Sequence, residues 1–500
     1  MEASRSIPRS RVLPTGRSLA LGGILVLSLG LNLWNNDFPL GYHRDEPKKV
    51  RFILQGEQDF HHPLLMLQEA RVVNRVLGLD SRQSVVLMGR SLSALNATLA
   101  VLVLFLLARR RLPPSYALWT ALAAAVSPIL VVHAHYLKED VLLTLFCLLT
   151  LLSLFRYLER PVWQRAVLLG LCAGLGTASH FKASLLFPVL AAAPLLGPFS
   201  DRRRLYRGLL VAVAVAAAAF LIVNYPIVLH PRRSGVLTGL THDMNLIGDG
   251  KDVAIGPLSQ LFLFHLRHSL VPGMTLLAVA IGLAGAVTAL LRWKFLEAPE
   301  RILLVYLAVF YASIEITPFK PYPDFMRYVM PLVPVLLYFG VRLTEGLRRV
   351  VPDPTGRLGA AVLLAMLIVT PLQASLRLDY HLIRDTRAEA EKRARALGGT
   401  VLFGNYASLD SRRLLADDSL DSLSAEGVTH LAVSSFDYDR YLFAANLENQ
   451  AASVYRRARA YEAMFRLPYI EISPAYRAFA FSNPVIRIVD IRRGPAGESR

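Results

Sequence analysis

The sequence predicts an α-helical polytopic membrane protein of about 11 transmembrane helices with a small C-terminal extracytoplasmic α/β domain. Three observations carry this expectation. Hydrophobic residues fill 54% of the 500 positions and charged residues only 18%, with a mean hydropathy of +0.41, which is more apolar surface than a water-soluble core can hide. These residues come in runs near the ~20 that a helix needs to cross a bilayer. The runs stop at 375, beyond which the composition is that of an ordinary folded domain.

Eleven segments meet or approach the spanning length, at 18–35, 84–108, 115–132, 141–157, 166–180, 183–199, 209–229, 269–291, 302–317, 328–341 and 358–375. The first follows a leader containing Arg5, Arg9, Arg11 and Arg17 and is followed by Leu33-Trp34-Asn35-Asn36, with no small-residue cleavage site, so it reads as an uncleaved signal anchor. With a cytoplasmic N-terminus, the inner segments hold 21 Lys plus Arg in 69 residues. The outer loops 36–83, 133–140, 179–183, 230–268 and 317–327 hold 15 in 111. Positive residues favour the inside, as Arg109-Arg110-Arg111 and Arg202-Arg203-Arg204 show most clearly. The formal charge of +18, which in a soluble chain would point to nucleic acid, is therefore mostly a record of orientation. Eleven crossings place 376–500 outside. There a charged helix near 384–397, strands at 400–404, 429–434 and 485–491, and an amphipathic helix around 446–465 are expected, in a structural or acceptor-recognising role.

The chain divides accordingly into a transmembrane domain, 1–375, and the extracytoplasmic α/β domain, 376–500. Cys147 and Cys172 lie inside apolar runs, so no disulfide framework is expected. Gly170, Gly174 and Gly176 read as close-packing positions, because no strand precedes them to make a phosphate loop. Asn96-Ala97-Thr98 spells a glycosylation acceptor but falls within a membrane helix. Arg90 and Glu315, charges toward the outer ends of the spans, read as snorkelling groups or as lining of a site. Neither His265 nor His268 has an evident partner.

Ionisable residues concentrate just outside the first span, in Tyr42-His43-Arg44-Asp45-Glu46-Pro47-Lys48-Lys49 and Gln58-Asp59-Phe60-His61-His62-Pro63. The second outer turn repeats the theme with Lys138-Glu139-Asp140 beside His133 and His135. Charges in so short a turn at the membrane are costly unless paired or used. Of only 8 lysines, six (Lys48, Lys49, Lys138, Lys182, Lys251 and Lys320) fall in the outer loops. Arginine suffices for topology, whereas a lysine ammonium meets a phosphate as a point charge, so an anionic ligand is expected on this face. For Lys251 snorkelling toward lipid headgroups is the better reading.

The ordered set of Asp45-Glu46, His62 to Leu65, Lys138-Glu139-Asp140, Lys182 and Lys320 to Arg327 leading into Tyr328-Val329-Met330-Pro331 resembles the polyprenyl-phosphate-sugar-dependent glycosyltransferases of the glycosyltransferase C superfamily. These include the protein O-mannosyltransferases and the bacterial lipid A aminoarabinose transferase. The resemblance spans roughly 18–375. The outer loop 230–268 is too short for the sugar-binding insert of the eukaryotic mannosyltransferases, which favours a bacterial branch and puts protein acceptors in doubt.

What the resemblance implies is an integral-membrane inverting glycosyltransferase of a bacterial plasma membrane, which moves a sugar from a polyprenyl-phosphate carrier to a hydroxyl on a lipid, glycan or protein acceptor. Nucleic acid is not an expected partner. It implies Asp45 as general base, with Glu46 helping to hold the acceptor or a second charge. Lys48, Lys138, Lys182, Lys320 and Arg327 are candidates for the donor phosphate, and His61, His62, Glu139 and Asp140 for the surrounding layer or the acceptor. The chemistry is consistent: an attacking hydroxyl needs one base, while a phosphate leaves as a stable anion and needs cations rather than a general acid. No cofactor is required by this scheme, although His43, Asp45, His61 and His62 leave room for weak binding of a divalent cation. The alternative is a transporter or lipid-linked-sugar flippase. Such proteins place charges near mid-membrane and often carry internal repeats, neither of which this sequence shows.

Overall fold

The computed structural model describes residues 15–58, 62–229, 253–256, 258–317, 320, 326–404, 406–408, 420–448, 450–476, 480 and 482–492. The chain opens with α1 (Thr15–Leu33), followed by two short helices in the first loop, α2 (Glu46–Gln55) and α3 (Leu65–Leu77). The bundle continues through α4 (Arg82–Ala108), α5 (Pro114–Ala125), α6 (Pro128–Ala134), α7 (Glu139–Glu159), α8 (Trp163–Ser179), α9 (Leu186–Ala192) and α10 (Arg202–Val223). After the short α11 (Pro226–Leu229) and α12 (Val271–Met274) come α13 (Leu276–Leu291), α14 (Ala298–Ile316), α15 (Val333–Val350) and α16 (Thr355–Leu382).

Local chemistry sets several boundaries. Ser81 caps α4 by accepting the Ser84 N–H at 3.1 Å, and Asp201 caps α10 by accepting that of Arg204 at 2.8 Å. Pro128 cannot donate to the preceding turn, so the run expected at 115–132 breaks into α5 and α6 with a 55° bend. Helix α7 lies in the middle, with 83% of its most apolar window buried, which suits a sequence apolar all round. At the periphery, α1 and α10 are only 17% and 22% buried, and side chains such as Val26 and Leu210 face outward as lipid-exposed residues do. The expected small-residue seam is present: a Cβ on Gly170 or Gly174 of α8 would collide with the carbonyls of Ala212 and Ala216 on α10.

Among the described residues, six helices are long and apolar enough to span a membrane, or eight if each bent pair counts as one span. The expected count of about eleven exceeds this for physical reasons. Helix α8 has 17 residues, the stretch Phe181–Leu195 is shorter still, and α14 carries Glu300, Arg301 and Glu315. Helix α16 also runs on to Leu382, past the expected end at 375.

Beyond α16 lie α17 (Thr386–Leu397), β1 (Thr400–Phe403), α18 (Leu420–Ala425), β2 (Val428–Ser434), α19 (Ser435–Ala444), α20 (Ala452–Met464), β3 (Tyr469–Ile472) and β4 (Ile486–Asp490). The strands form a four-stranded sheet in the order β1-β2-β4-β3, with β1 and β2 parallel and the other pairs antiparallel. Alternation along β2 sends Leu431 and Val433 to a face shared with Tyr438, Tyr461 and Met464, and Ala432 to the face of Ala390, Ile486 and Ile488. Strand β3 and helices α18 and α19 were not among the expected elements.

Candidate functional site

The ionisable residues gather at one end of the bundle. Helix α4 runs from this end, where Gln83 Nε2 donates to the Phe38 carbonyl at 3.1 Å, to the arginine-rich end, where Arg110 pairs with Glu159 at the far end of α7. The candidate site is thus at the end opposite Arg109-Arg110-Arg111 and Arg202-Arg203-Arg204.

Two segments meet there: the residues leading into α2, and the tight turn between α6 and α7. Asp45 precedes α2, its side chain 44% exposed, and its Oδ2 accepts from Lys138 Nζ at 2.6 Å. Arg327, on the 3₁₀ turn Met326–Leu332, reaches the same oxygen at 3.8 Å. The His43 ring accepts the Asp45 N–H at 3.2 Å through Nδ1. Desolvation works against the Asp45 charge, but the Lys138, Arg327 and Lys49 cations outweigh it and hold this carboxyl well below the usual range. Behind this pair, Glu139 accepts from Lys49 and lies 2.8 Å from His62 Nε2. The His62 ring faces that of His180 at 5.2 Å. Burial pushes His43, His62 and His180 below the usual histidine range, so each favours the neutral imidazole. Asp140 is also buried, and its Oδ2, the Nε of Arg327 and both ring nitrogens of His133 have no hydrogen-bond partner among the described residues. Unsatisfied polar atoms packed this closely are a costly arrangement that a ligand or water would relieve.

The structure separates the expected site residues into groups. Asp45, Lys138, Arg327, His62, Glu139 and Asp140 come together. Lys182 lies nearby, with its ammonium over the Tyr328 ring. Glu46 does not face the opening: it is fully buried, bound by Arg90 through Nε at 3.0 Å and Nη2 at 2.6 Å, and accepts the Leu137 N–H at 3.0 Å. Arg90, expected either to snorkel or to line a site, is entirely enclosed and also donates to the Asn36 and Phe38 carbonyls at 3.0 and 2.6 Å. Glu315 too is buried and accepts the His265 N–H at 2.7 Å. Lys320 directs its three N–H groups to the carbonyls of Ile255, Glu315 and Thr317 at 2.9, 2.7 and 2.8 Å, so all three of its donors are engaged within the fold. Lys48 sits on the exposed side of α2 against Phe52, whereas Lys49 enters the cluster. Helical spacing explains this: Glu46, Lys49, Val50 and Ile53 fall on one buried face. That periodicity was readable in the sequence. His61, Lys251 and the residues 1–14, 230–252 and 321–325 lie outside the described residues. Among the described residues, no group of three or more His, Cys, Asp or Glu is placed to hold a metal ion.

Comparison with known proteins finds several solved structures of similar fold. ArnT from Cupriavidus metallidurans, crystallised bound to undecaprenyl phosphate, superposes with a TM-score of 0.56 at 16% identity, covering 97% of this chain and 100% of that one. The oligosaccharyltransferase of Archaeoglobus fulgidus in the apo form superposes at 0.60 with 12% identity, covering 93% of this chain and 74% of that one. The archaeal enzyme AglB from Archaeoglobus fulgidus, in complex with an inhibitory peptide and a dolichol-phosphate, gives 0.57 at 12% identity, with 94% and 74% covered. The chain shares the overall fold of these structures. Residues 61–229 match the family described as dolichyl-phosphate-mannose-protein mannosyltransferase. No curated protein matches the chain significantly in sequence.

Proposed function

We propose that the chain transfers a sugar from a polyprenyl-phosphate carrier to an acceptor hydroxyl, with inversion at the anomeric carbon, in the inner membrane of a bacterium. The observation that carries this reading is the partly exposed Asp45 carboxylate held against Lys138 and Arg327 over a buried, incompletely satisfied polar cluster at the mouth of a membrane bundle. The structures of similar fold bound to undecaprenyl phosphate and to dolichol-phosphate support a polyprenyl carrier. In this scheme the acceptor hydroxyl gives its proton to Asp45 while its oxygen bonds to the anomeric carbon. The bond from that carbon to the phosphate oxygen breaks, and the departing anion is met by Lys138 and Arg327, with Lys182 close by.

A carboxylate so strongly compensated is a weak base. Donor binding corrects this, because a phosphate that draws Lys138 and Arg327 toward itself takes their charge from Asp45 and raises its proton affinity. Glu46 is assigned to the framework that holds Asp45, and Lys320 to the fold of its loop. Residues 1–375 form the catalytic membrane domain, with the N-terminus cytoplasmic, and 376–500 an extracytoplasmic domain that covers the site.

The test is incubation of purified protein in lipid nanodiscs with radiolabelled polyprenyl-phosphate sugars and lipid, glycan and peptide acceptors. Transfer is expected from wild type and a loss of at least ~100-fold from Asp45→Asn, within the range usual for a general base. Label that never leaves the carrier, or an Asp45→Asn protein that is folded and near normal, would overturn the reading.

A further inference from the structure

We propose that the Asp385–Arg387 pair is a positioning clamp through which the C-terminal domain sets the distance between Asp45 and Lys138. The inference rests on the transferase reading for its catalytic consequence, but on contacts alone for the clamp.

Arg387 is 1% exposed. Its Nε and Nη2 donate to the two Asp385 oxygens at 2.8 and 2.7 Å, and its remaining terminal nitrogen, Nη1, donates to the Tyr42 carbonyl at 2.7 Å. The guanidinium also lies over the Tyr42 ring at 4.7 Å. A planar fork held on one edge by a carboxylate leaves little freedom for the group on its other edge. Tyr42 leads directly into His43, whose ring holds the Asp45 N–H.

The same Asp385 carboxylate reaches the second loop by another route. Its Oδ2 accepts the Asn483 N–H at 2.8 Å. In the same segment the Ala480 carbonyl accepts the Tyr136 hydroxyl at 2.6 Å, and the Thr386 hydroxyl donates to the Pro484 carbonyl at 2.6 Å. Tyr136 sits two residues before Lys138, and its ring packs on His43 at 4.8 Å. Two arms therefore leave one carboxylate, run through Tyr42 and Tyr136, and meet at the 2.6 Å contact of Asp45 with Lys138. Neither arm uses a residue expected to touch substrate. Displacements near 1 Å in such a framework suffice for rate losses near 100-fold.

The full-length protein in nanodiscs carries the test, with Arg387→Ala, Arg387→Lys and Tyr136→Phe. In Arg387→Ala we expect kcat to fall ~10- to 100-fold, partial rescue by added guanidinium ion, and faster amide exchange at 40–46. The acid limb of its kcat/KM profile is expected to move to higher pH, since Asp45 loses its close contact with Lys138 while Arg327, His43 and Lys49 still face it. Tyr136→Phe, which removes only the hydroxyl that meets Ala480 and Ser482 and keeps the ring, should fold and is expected to raise exchange at 135–138 and lower kcat less. A fall in rate that only tracks the folded fraction, with no shift of the limb and no rescue, would make the pair merely structural and overturn the proposal. If wild type transfers no sugar, the transferase reading fails on its own; the clamp is then judged by exchange, and unchanged protection at 40–46 in Arg387→Ala sinks it.

Discussion

Asp45 and Glu46 are neighbours in the chain and opposites in the structure. Asp45 is partly open to solvent between cations, while Glu46 opens α2 and turns inward to Arg90. Different substitutions should therefore fail in different ways. Removing Arg90 as Arg90→Met strands a fully buried carboxylate, an event worth about 3–5 kcal/mol; the expected result is a large drop in Tm, read by calorimetry or thermal fluorescence. Lys138→Met should leave the fold largely intact and act on the chemistry. With its pKa depressed, Asp45 carries its charge fully above the unfolded value and loses it only as pH falls through the low folded value. The wild-type rate should thus show no Asp45 limb between about pH 5 and 8. In Lys138→Met the nearest cation is gone while Arg327 and Lys49 still face the carboxylate, so the limb should move to higher pH than in wild type, measurable in a kcat/KM profile.

The helices divide between those that build the bundle and those that carry the chemistry. Helix α7 does both: its buried length fills the middle, and its first turn presents Glu139 and Asp140, where the N-terminal end of the dipole favours negative charge. Helix α8 meets α10 through glycines that leave no space for a side chain. Gly174→Leu should overpack this seam at a cost of about 1–3 kcal/mol, seen as a lowered midpoint of unfolding in detergent, whereas Gly22→Leu in α1, where a Cβ would meet nothing within 4 Å, should leave stability unchanged. The helix runs themselves were legible because hydropathy is a local property. Their breaks were partly legible, as Pro128 shows, but the sharp 110° bend between Leu266–Met274 and α13 was not. Local composition says that a segment is apolar and leaves its direction open.

Across the whole molecule, the positive residues and the candidate site occupy opposite ends, which gives orientation a direct test. In inverted and right-side-out vesicles, Arg160→Cys should react with an impermeant maleimide only from the cytoplasmic face and Asp80→Cys only from the other; the reverse pattern would invert the proposed topology. Native Cys147 and Cys172 are buried and should stay silent. The apolar helical runs, the asymmetry of positive residues and the clustering of ionisable groups were written in the order of residue types along the chain, because the partition between lipid and water acts on each segment separately, although fewer helices than the expected eleven are long enough to span. Pairings of distant charges did not. Lys138 meets Asp45 across 93 positions and Arg387 meets Tyr42 across 345. Such contacts depend on how helices stack and on where the sheet domain docks. That is why Lys49 rather than Lys48 enters the cluster, why Lys320 is consumed by carbonyls, and why Glu46 belongs to the framework. Burial and partner geometry assign those roles, and both exist only once the chain has folded.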